Sequence, residues 1–419
     1  EIPSVMCRIV AKNGRELTIC NHCMLEIGKH MGLSAESEIP VKKEADGRRK
    51  PGKSKVKITS PQDIYSELKR HIIGQESYLR TLACFGYNLL RRTALLAGGA
   101  PRDKIPPKEN LFLIGPTGSG KTAGILQLCN ILEIPHVITD VTGLTEAGYV
   151  GGDVEDILRI FATSVGNDVD AFAKQCSLIF LDEIDKLSAR LSSSNSKDVS
   201  GEGVQQALLK LLSGDSQIDI SGRRWSSRDE NRMIRTHNIH FVAAGAFSGL
   251  RKIVGDRRKE NAIGFRALQS PADREEIAYN LGRNEVLIDD LHKYGMLPEL
   301  VGRFSRFEVL HPLSVDELKR VLVEPEGSIL KKQILRFENE GIALSINDSA
   351  LEVIARKAYE TKLGARGLQR ILDDYLYDLQ FEHFGRTGVR QITVYSDDAG
   401  EIKTHVKKRK KAGASGGSK

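Results

Sequence analysis

The chain has 419 residues, 40% hydrophobic and 28% charged, which excludes a disordered polymer and is enough for roughly two to four domains. No run approaches the ~18 apolar residues of a membrane-spanning helix, and the start lacks a signal-peptide layout, so a cytoplasmic protein with no membrane partner is expected. The net charge of +7 raises nucleic acid as a partner, but residues 42–57 and 403–411 each carry a net +6, which leaves −5 for the rest. No specific nucleic-acid partner is therefore expected.

In chain order, residues 1–33 form a short N-terminal segment carrying Cys7, Cys20 and Cys23. Residues 34–60 are basic, Pro/Gly-punctuated and poor in large apolar groups, which reads as a flexible linker. Between 61 and 312, apolar runs at 111–114, 136–139, 177–182 and 239–245 alternate with helical patterns, the signature of a parallel sheet covered by helices. Residues 313–396 read as a smaller, mostly helical α+β domain, with Ser314 placed to cap a helix, a short strand at 342–346 and an amphipathic run from Arg366 to Phe381. The last segment, 397–419, is basic and reads as a disordered tail. The fold class is α/β. Cys84, Cys129 and Cys176, isolated in apolar stretches, read as small buried thiols, and six cysteines are too few for a disulfide scaffold.

Chemistry enters where the run at 111–114 meets Gly115, Pro116, Thr117, Gly118, Ser119, Gly120, Lys121 and Thr122, followed by a helical pattern. This is the G-x-x-x-x-G-K-[ST] phosphate loop in its strand–loop–helix context. Its glycines let backbone N–H groups converge on phosphate oxygens, Lys121 brings a positive charge to the terminal phosphates, and the Thr122 hydroxyl can ligate Mg²⁺. About sixty residues on, the run at 177–182 ends in Asp182 and Glu183. In that position Asp182 can hold Mg²⁺ through water, and Glu183 can orient and deprotonate an attacking water. ATP hydrolysis is the reaction these parts perform together. Between the two motifs, Tyr149 and Val150 are flanked by glycines, which leaves open either a buried turn or a flexible tip that grips an extended polypeptide without regard to its sequence.

The chain resembles the ClpX family of AAA+ protein unfoldases. The matching stretches run in family order over residues 61–380: HIIGQE (71–76), GPTGSGKT, GYVGGDVE (148–155), LIFLDEIDKL (178–187), KDVSGEGVQQALLKLL (197–212), AGAFSGL (244–250), LPELVGRF (297–304) and LGARGL (363–368). The resemblance implies a P-loop AAA+ large domain followed by a small lid domain, assembled as a homo-hexamer. Unfolded or tagged protein substrates would be drawn through its axial pore by a loop carrying Tyr149 and Val150. It implies Arg303 as the arginine finger that reaches a neighbouring subunit's γ-phosphate and Arg366 as the arginine that senses nucleotide from the small domain; a planar, permanently charged fork suits both tasks. An ordinary ion pair of Arg303 with Glu299 is the competing reading.

The resemblance further assigns Ile72 and Ile73 to the adenine-contacting segment, although two isoleucines near a glycine also fit an ordinary core. The strand ending at Ala244 and Gly245 offers no polar side chain to sense phosphate. Ile263, Gly264 and Phe265, apolar in a polar stretch, match a tripeptide that docks a ClpP-type peptidase; folding back onto the domain is the alternative. Two departures stand out. Arg223 and Arg224 keep basic charge at the pore entrance, but Trp225 replaces the family's histidine. Of the two C-x-x-C pairs that bind Zn²⁺ in the family, only Cys20 and Cys23 form a complete one, and Cys7 lacks its partner, so a site completed by His22 or, with less strain, His30, a degenerate site and an N-terminal fragment are all open. The competing functions are an HslU-like unfoldase, a DNA-remodelling motor and a non-hydrolysing scaffold.

Overall fold

The computed structural model describes residues 6–10, 16–20, 58–145, 152–164, 175–188, 199–214, 217–219, 233–261, 286–385 and 388–408. Two compact units are present, residues 1–55 and 56–419. In the first, β1 (Met6–Val10) pairs antiparallel with β2 (Glu16–Cys20), with Cys7 opposite Ile19 and Cys20 opposite Met6. Cys23, the side chains of Cys7 and Cys20, and with them zinc ligation, lie outside the described residues.

The second unit opens with α1 (Pro61–Lys69) and α2 (Glu76–Ala97). The first is fixed by a capping box: Asp63 N–H donates to the Ser60 hydroxyl, the Asp63 carboxylate accepts from Ser60 N–H, and Pro61 presets the first helical φ. The main sheet has five parallel strands, β3 (Leu111–Ile114), β4 (His136–Asp140), β7 (Ser177–Asp182), β10 (Ile239–Gly245) and β11 (Arg306–Val309). Their spatial order is β11-β3-β10-β7-β4. Two short pairs belong to the connections: β5 (Leu144–Thr145) with β6 (Gly152–Asp153), and β8 (Gln217–Asp219) with β9 (Met233–Arg235). The helices of this part are α3 (Lys121–Leu132), α4 (Asp156–Ser164), α5 (Val199–Leu212), α6 (Leu250–Asn261), α7 (Ile288–Tyr294) and α8 (Pro298–Val301).

The continuous apolar runs follow from this architecture. Leu111, Leu113, Leu178, Phe180, Val242 and Ala244 point into a core shared with α1, α2 and α3, while Phe112, Ile114, Ile179, Leu181, Phe241 and Ala243 point into another shared with α4 and α5. A parallel sheet covered on both faces has no polar side to alternate with, and each such side chain contributes about 1.5–3 kcal/mol on burial. The edge strand β11 is half-exposed and carries Arg306 and Glu308, which is why it gives no apolar signal in the sequence.

Beyond β11 the chain builds a third core. Ser314 and Glu317 form a capping box on α9 (Val315–Val323), followed by α10 (Ile329–Asn339), β12 (Ala343–Ile346), α11 (Asp348–Glu360), α12 (Ala365–His383), β13 (Val389–Ser396) and β14 (Ile402–Lys408). Leu318, Leu322, Phe337, Leu368, Leu372 and Leu376 pack together there. Two expectations are corrected. Residues 402–408 are not disordered: they form β14, antiparallel to β13, with Ile402 and Val406 packed on the third core. Cys129 and Cys176 are buried, but Cys84 is exposed, because its position on α2 faces away from the residues that meet the sheet. Among the described residues, no helix is long and apolar enough to cross a membrane.

Candidate nucleotide site

The phosphate loop leaves the C-terminal end of β3, where open α/β sheets hold their ligands. Its shape depends on two glycines: Gly118 and Gly120 have φ of +75° and +99°, a left-handed backbone that costs other residues about 1–2 kcal/mol. Gly115 is tied to the neighbouring strand through its N–H, which donates to the Gly245 carbonyl at 3.2 Å. Lys121 opens α3 and is buried, its ammonium donating to the carbonyls of Gly115 and Pro116 at 2.6 and 2.9 Å. Burial lowers its pKa to about 8, against the opposing pull of the Asp182 and Asp185 carboxylates. The Ser119 hydroxyl is buried and has no hydrogen-bond partner among the described residues.

The carboxylates come from the end of β7. The Thr122 hydroxyl donates to Asp182 at 3.2 Å, so a hydroxyl and a carboxylate of the kind that ligate Mg²⁺ already face each other. Asp182 also accepts from the Glu183 N–H at 3.0 Å. Glu183 itself is exposed and held at φ +59°. A left-handed non-glycine residue costs roughly 1–3 kcal/mol and persists where its surroundings over-determine it; here it turns the chain out of the strand so that two adjacent carboxylates have different environments. The donor set fits a nucleotide with Mg²⁺: a glycine-shaped loop leading into α3, a buried ammonium, a buried hydroxyl unpartnered among the described residues, and the Thr122–Asp182 pair. Bound Mg²⁺ would neutralise charge on the phosphate oxygens.

Sequence reasoning missed Asp185. It is 3% exposed, and its two oxygens accept from the N–H groups of Ala246 at 3.3 Å and Phe247 at 3.1 Å, just after β10. Phe247 is buried with φ +50°, stacked near Phe112 and Tyr294. A Cβ on Gly245 would stand 2.7 Å from the Asp185 carboxylate, so that glycine permits the approach. Asp185 therefore locks the end of β10 to the end of β7, beside the phosphate loop. The repeated acid in LDEID was the available signal; its partners are backbone groups some sixty residues away, which no motif records.

The third core closes over the loop. The Ala365 N–H, at the start of α12, donates to the Gly118 carbonyl at 3.1 Å, and any Cβ on Gly118 would collide with the Leu363 carbonyl. A cavity of about 300 Å³ lies here, lined by Gly115, Thr117, Ala246, Leu310, Lys362 and Leu363 among others. Arg366, one residue beyond Ala365, is exposed. Ile73 is buried and Ile72 half-buried against the core of α1 to α3. The next residue but one, Gln75, bonds His311 through both side-chain atoms, at 2.6 and 3.2 Å, and so ties this segment to the start of the third core.

Arg303 lies elsewhere. Its carbonyl accepts from the Asn110 side chain at 3.0 Å, at the N-terminal end of β3, whereas the phosphate loop leaves the C-terminal end. Gly115 stands five positions beyond Asn110, with the four residues of β3 between them, about 16 Å at roughly 3.3 Å per residue, more than an arginine side chain spans. Arg303 is exposed, and among the described residues it makes no ion pair with Glu299. Tyr149, Val150, Arg223, Arg224, Ile263, Gly264 and Phe265 lie outside the described residues.

A family model for the AAA domain (Cdc48 subfamily) matches residues 106–307, and one for the C-terminal, D2-small domain of ClpB protein matches residues 313–388. The ATP-dependent Clp protease ATP-binding subunit ClpX of Bacteroides thetaiotaomicron is 37% identical over 344 residues, which cover 80% of this chain and 81% of that protein.

Proposed function

The chain belongs to the ClpX family of AAA+ ATPases, and from that premise we propose that it is the ATP-driven unfoldase of a Clp protease, working in the cytoplasm as a homo-hexamer. It hydrolyses ATP. In this reading Thr122 and Asp182 hold Mg²⁺, Lys121 stabilises the terminal phosphates, and Glu183 takes the proton of the attacking water. Tyr149 and Val150 grip the substrate, Arg223 and Arg224 meet it at the pore entrance, Arg366 reports the nucleotide from the small domain, and Ile263, Gly264 and Phe265 dock a ClpP-type peptidase.

The observation that carries the ring is the position of Arg303. An exposed arginine at the end of the sheet remote from its own phosphate loop can serve a γ-phosphate only in a neighbouring copy. The exposed aromatic residues Tyr377 and Phe381, one turn apart on α12 and 59% and 85% exposed, also fit a chain that packs against further copies. Repeated strokes around a ring suit the task, since a folded target resists by roughly 5–15 kcal/mol and can refold between pulls.

The test is complementation. Glu183→Gln and Arg303→Ala chains should each lack ATPase activity. Mixed, they form some sites with Glu183 from one chain and Arg303 from the other, and activity should return. Failure of any mixture to regain activity would overturn the assignment of Arg303 in trans. ATP-dependent degradation of a tagged, folded reporter, with and without a ClpP-type peptidase, tests delivery separately.

A further inference from the structure

A second cavity, of about 530 Å³, opens at the end of the sheet remote from the phosphate loop. Its walls come from the end of α2, the segment entering β3, the end of α5 and the turn between β9 and β10. Arg92, Arg102, Lys108, Arg235 and His237 line it, and none of its described lining residues is acidic. Four permanent positive charges thus share one concavity. His237 registers them together: its pKa is lowered by burial first, then by Arg92, Arg102, Arg235 and Lys108.

Arg92 is the most telling of the group. It is only 7% exposed, and among the described residues its guanidinium donates to neutral acceptors alone, the carbonyls of Pro106 and His237 and the side-chain oxygen of Asn238. Its Nε–H has no hydrogen-bond partner. The neighbouring Cys176 thiol is itself pushed up by burial and supplies no anion at neutral pH. A buried cation without a counter-charge is costly, and side chains held this way are found where a ligand provides the missing charge. Arg102 and Arg235 are exposed at the same cavity and make no ion pair with any described residue.

We propose that this cavity binds a small oligophosphate, an anion with two or more linked phosphate groups, at a site separate from the nucleotide site. Guanidinium forks match phosphate oxygens two at a time, and several forks around one space favour linked phosphates over a lone carboxylate. The volume falls in the usual range of small-ligand pockets, about 300–1,000 Å³. Leu96 and Ile105 add apolar wall, room for a non-phosphate portion of the molecule.

The experiment uses the full chain carrying Lys121→Ala, which removes the cation of the phosphate loop, and titrates it calorimetrically with inorganic tripolyphosphate without Mg²⁺. Saturable binding of one molecule per chain is expected, weakened at least tenfold by Arg102→Glu with Arg235→Glu, two exposed positions whose change should leave the melting temperature in place. Arg92→Lys, which keeps the charge and loses the fork, should weaken binding severalfold; if that variant melts early, the exposed pair alone decides. No saturable binding, binding unchanged in the double variant, or saturation by an Asp-rich peptide where tripolyphosphate fails, would each overturn the proposal.

Discussion

Asp185 offers a prediction whose size follows from the structure. Replacing it with Asn keeps one carbonyl oxygen but turns an amide NH₂ toward the second of the two N–H groups it now receives, those of Ala246 and Phe247. A hydrogen bond to a charged acceptor contributes about 1.5–3 kcal/mol, and a buried N–H left unsatisfied costs about 1–3 kcal/mol. At 3.1 and 3.3 Å both bonds are long, which places the loss near 2 kcal/mol. Phe247 then loses part of what holds it in a left-handed backbone. For a domain of 150–250 residues, each kcal/mol lowers Tm by about 2–4 °C, so thermal unfolding followed by circular dichroism should show a drop of roughly 4–8 °C. Asp185→Ala, which strands both N–H groups, should drop further. An Asn variant melting within about 1 °C of the parent would refute the view that this carboxylate locks β7 to β10.

Other expectations are sharper on function. Glu183→Gln should bind nucleotide normally and lose turnover by at least a hundredfold; near-normal hydrolysis would remove Glu183 as the base. Lys121 titrates near 8 in the folded chain against 10.5 ordinarily. Between those values the unfolded chain holds a proton that the folded one lacks, so stability should rise with pH across that window. Phosphate raises the lysine's affinity for the proton, so nucleotide binding at pH 9 should take up close to one proton, read as a buffer-dependent binding enthalpy that shrinks as pH falls from 9 to 8 and is absent at pH 9 in Lys121→Ala. Gly118→Ala should raise KM for ATP more than tenfold through its φ of +75° and its collision with the Leu363 carbonyl, and an unchanged KM would sink the account of that contact. Tyr149→Ala should keep ATPase activity and lose unfolding of a folded reporter, with retained unfolding excluding Tyr149 from the grip.

The motifs were legible because their physics is local. A phosphate loop needs its glycines and lysine within eight residues of chain, and the near-continuous apolar runs of β3, β7 and β10 announce burial on both faces. What escaped depends on contacts distant in sequence. Asp185 works through backbone groups of β10, and β11, half-exposed at the sheet edge, carries charge in place of an apolar run. Cys84 sits in an apolar stretch, yet helical rotation takes it to the outer side of α2. The segment at 402–408 was misread because lysines dominate its composition, although Ile402, Thr404 and Val406 alternate with Lys403, His405 and Lys407 at the period of a strand.

That strand has a further consequence. In the order β12-β13-β14 it is the outermost member, with one row of backbone donors and acceptors paired to β13 and the other unpaired among the described residues. An open edge invites any extended chain to add itself as the next strand. Lys407 and Lys408 put positive charge along the edge, while Lys403 is paired with Asp397 and Glu401, and an incoming strand would have to bury its own surface beside them. Three of the basic residues that at first pointed toward nucleic acid thus lie on a strand edge, where they disfavour the addition of another strand.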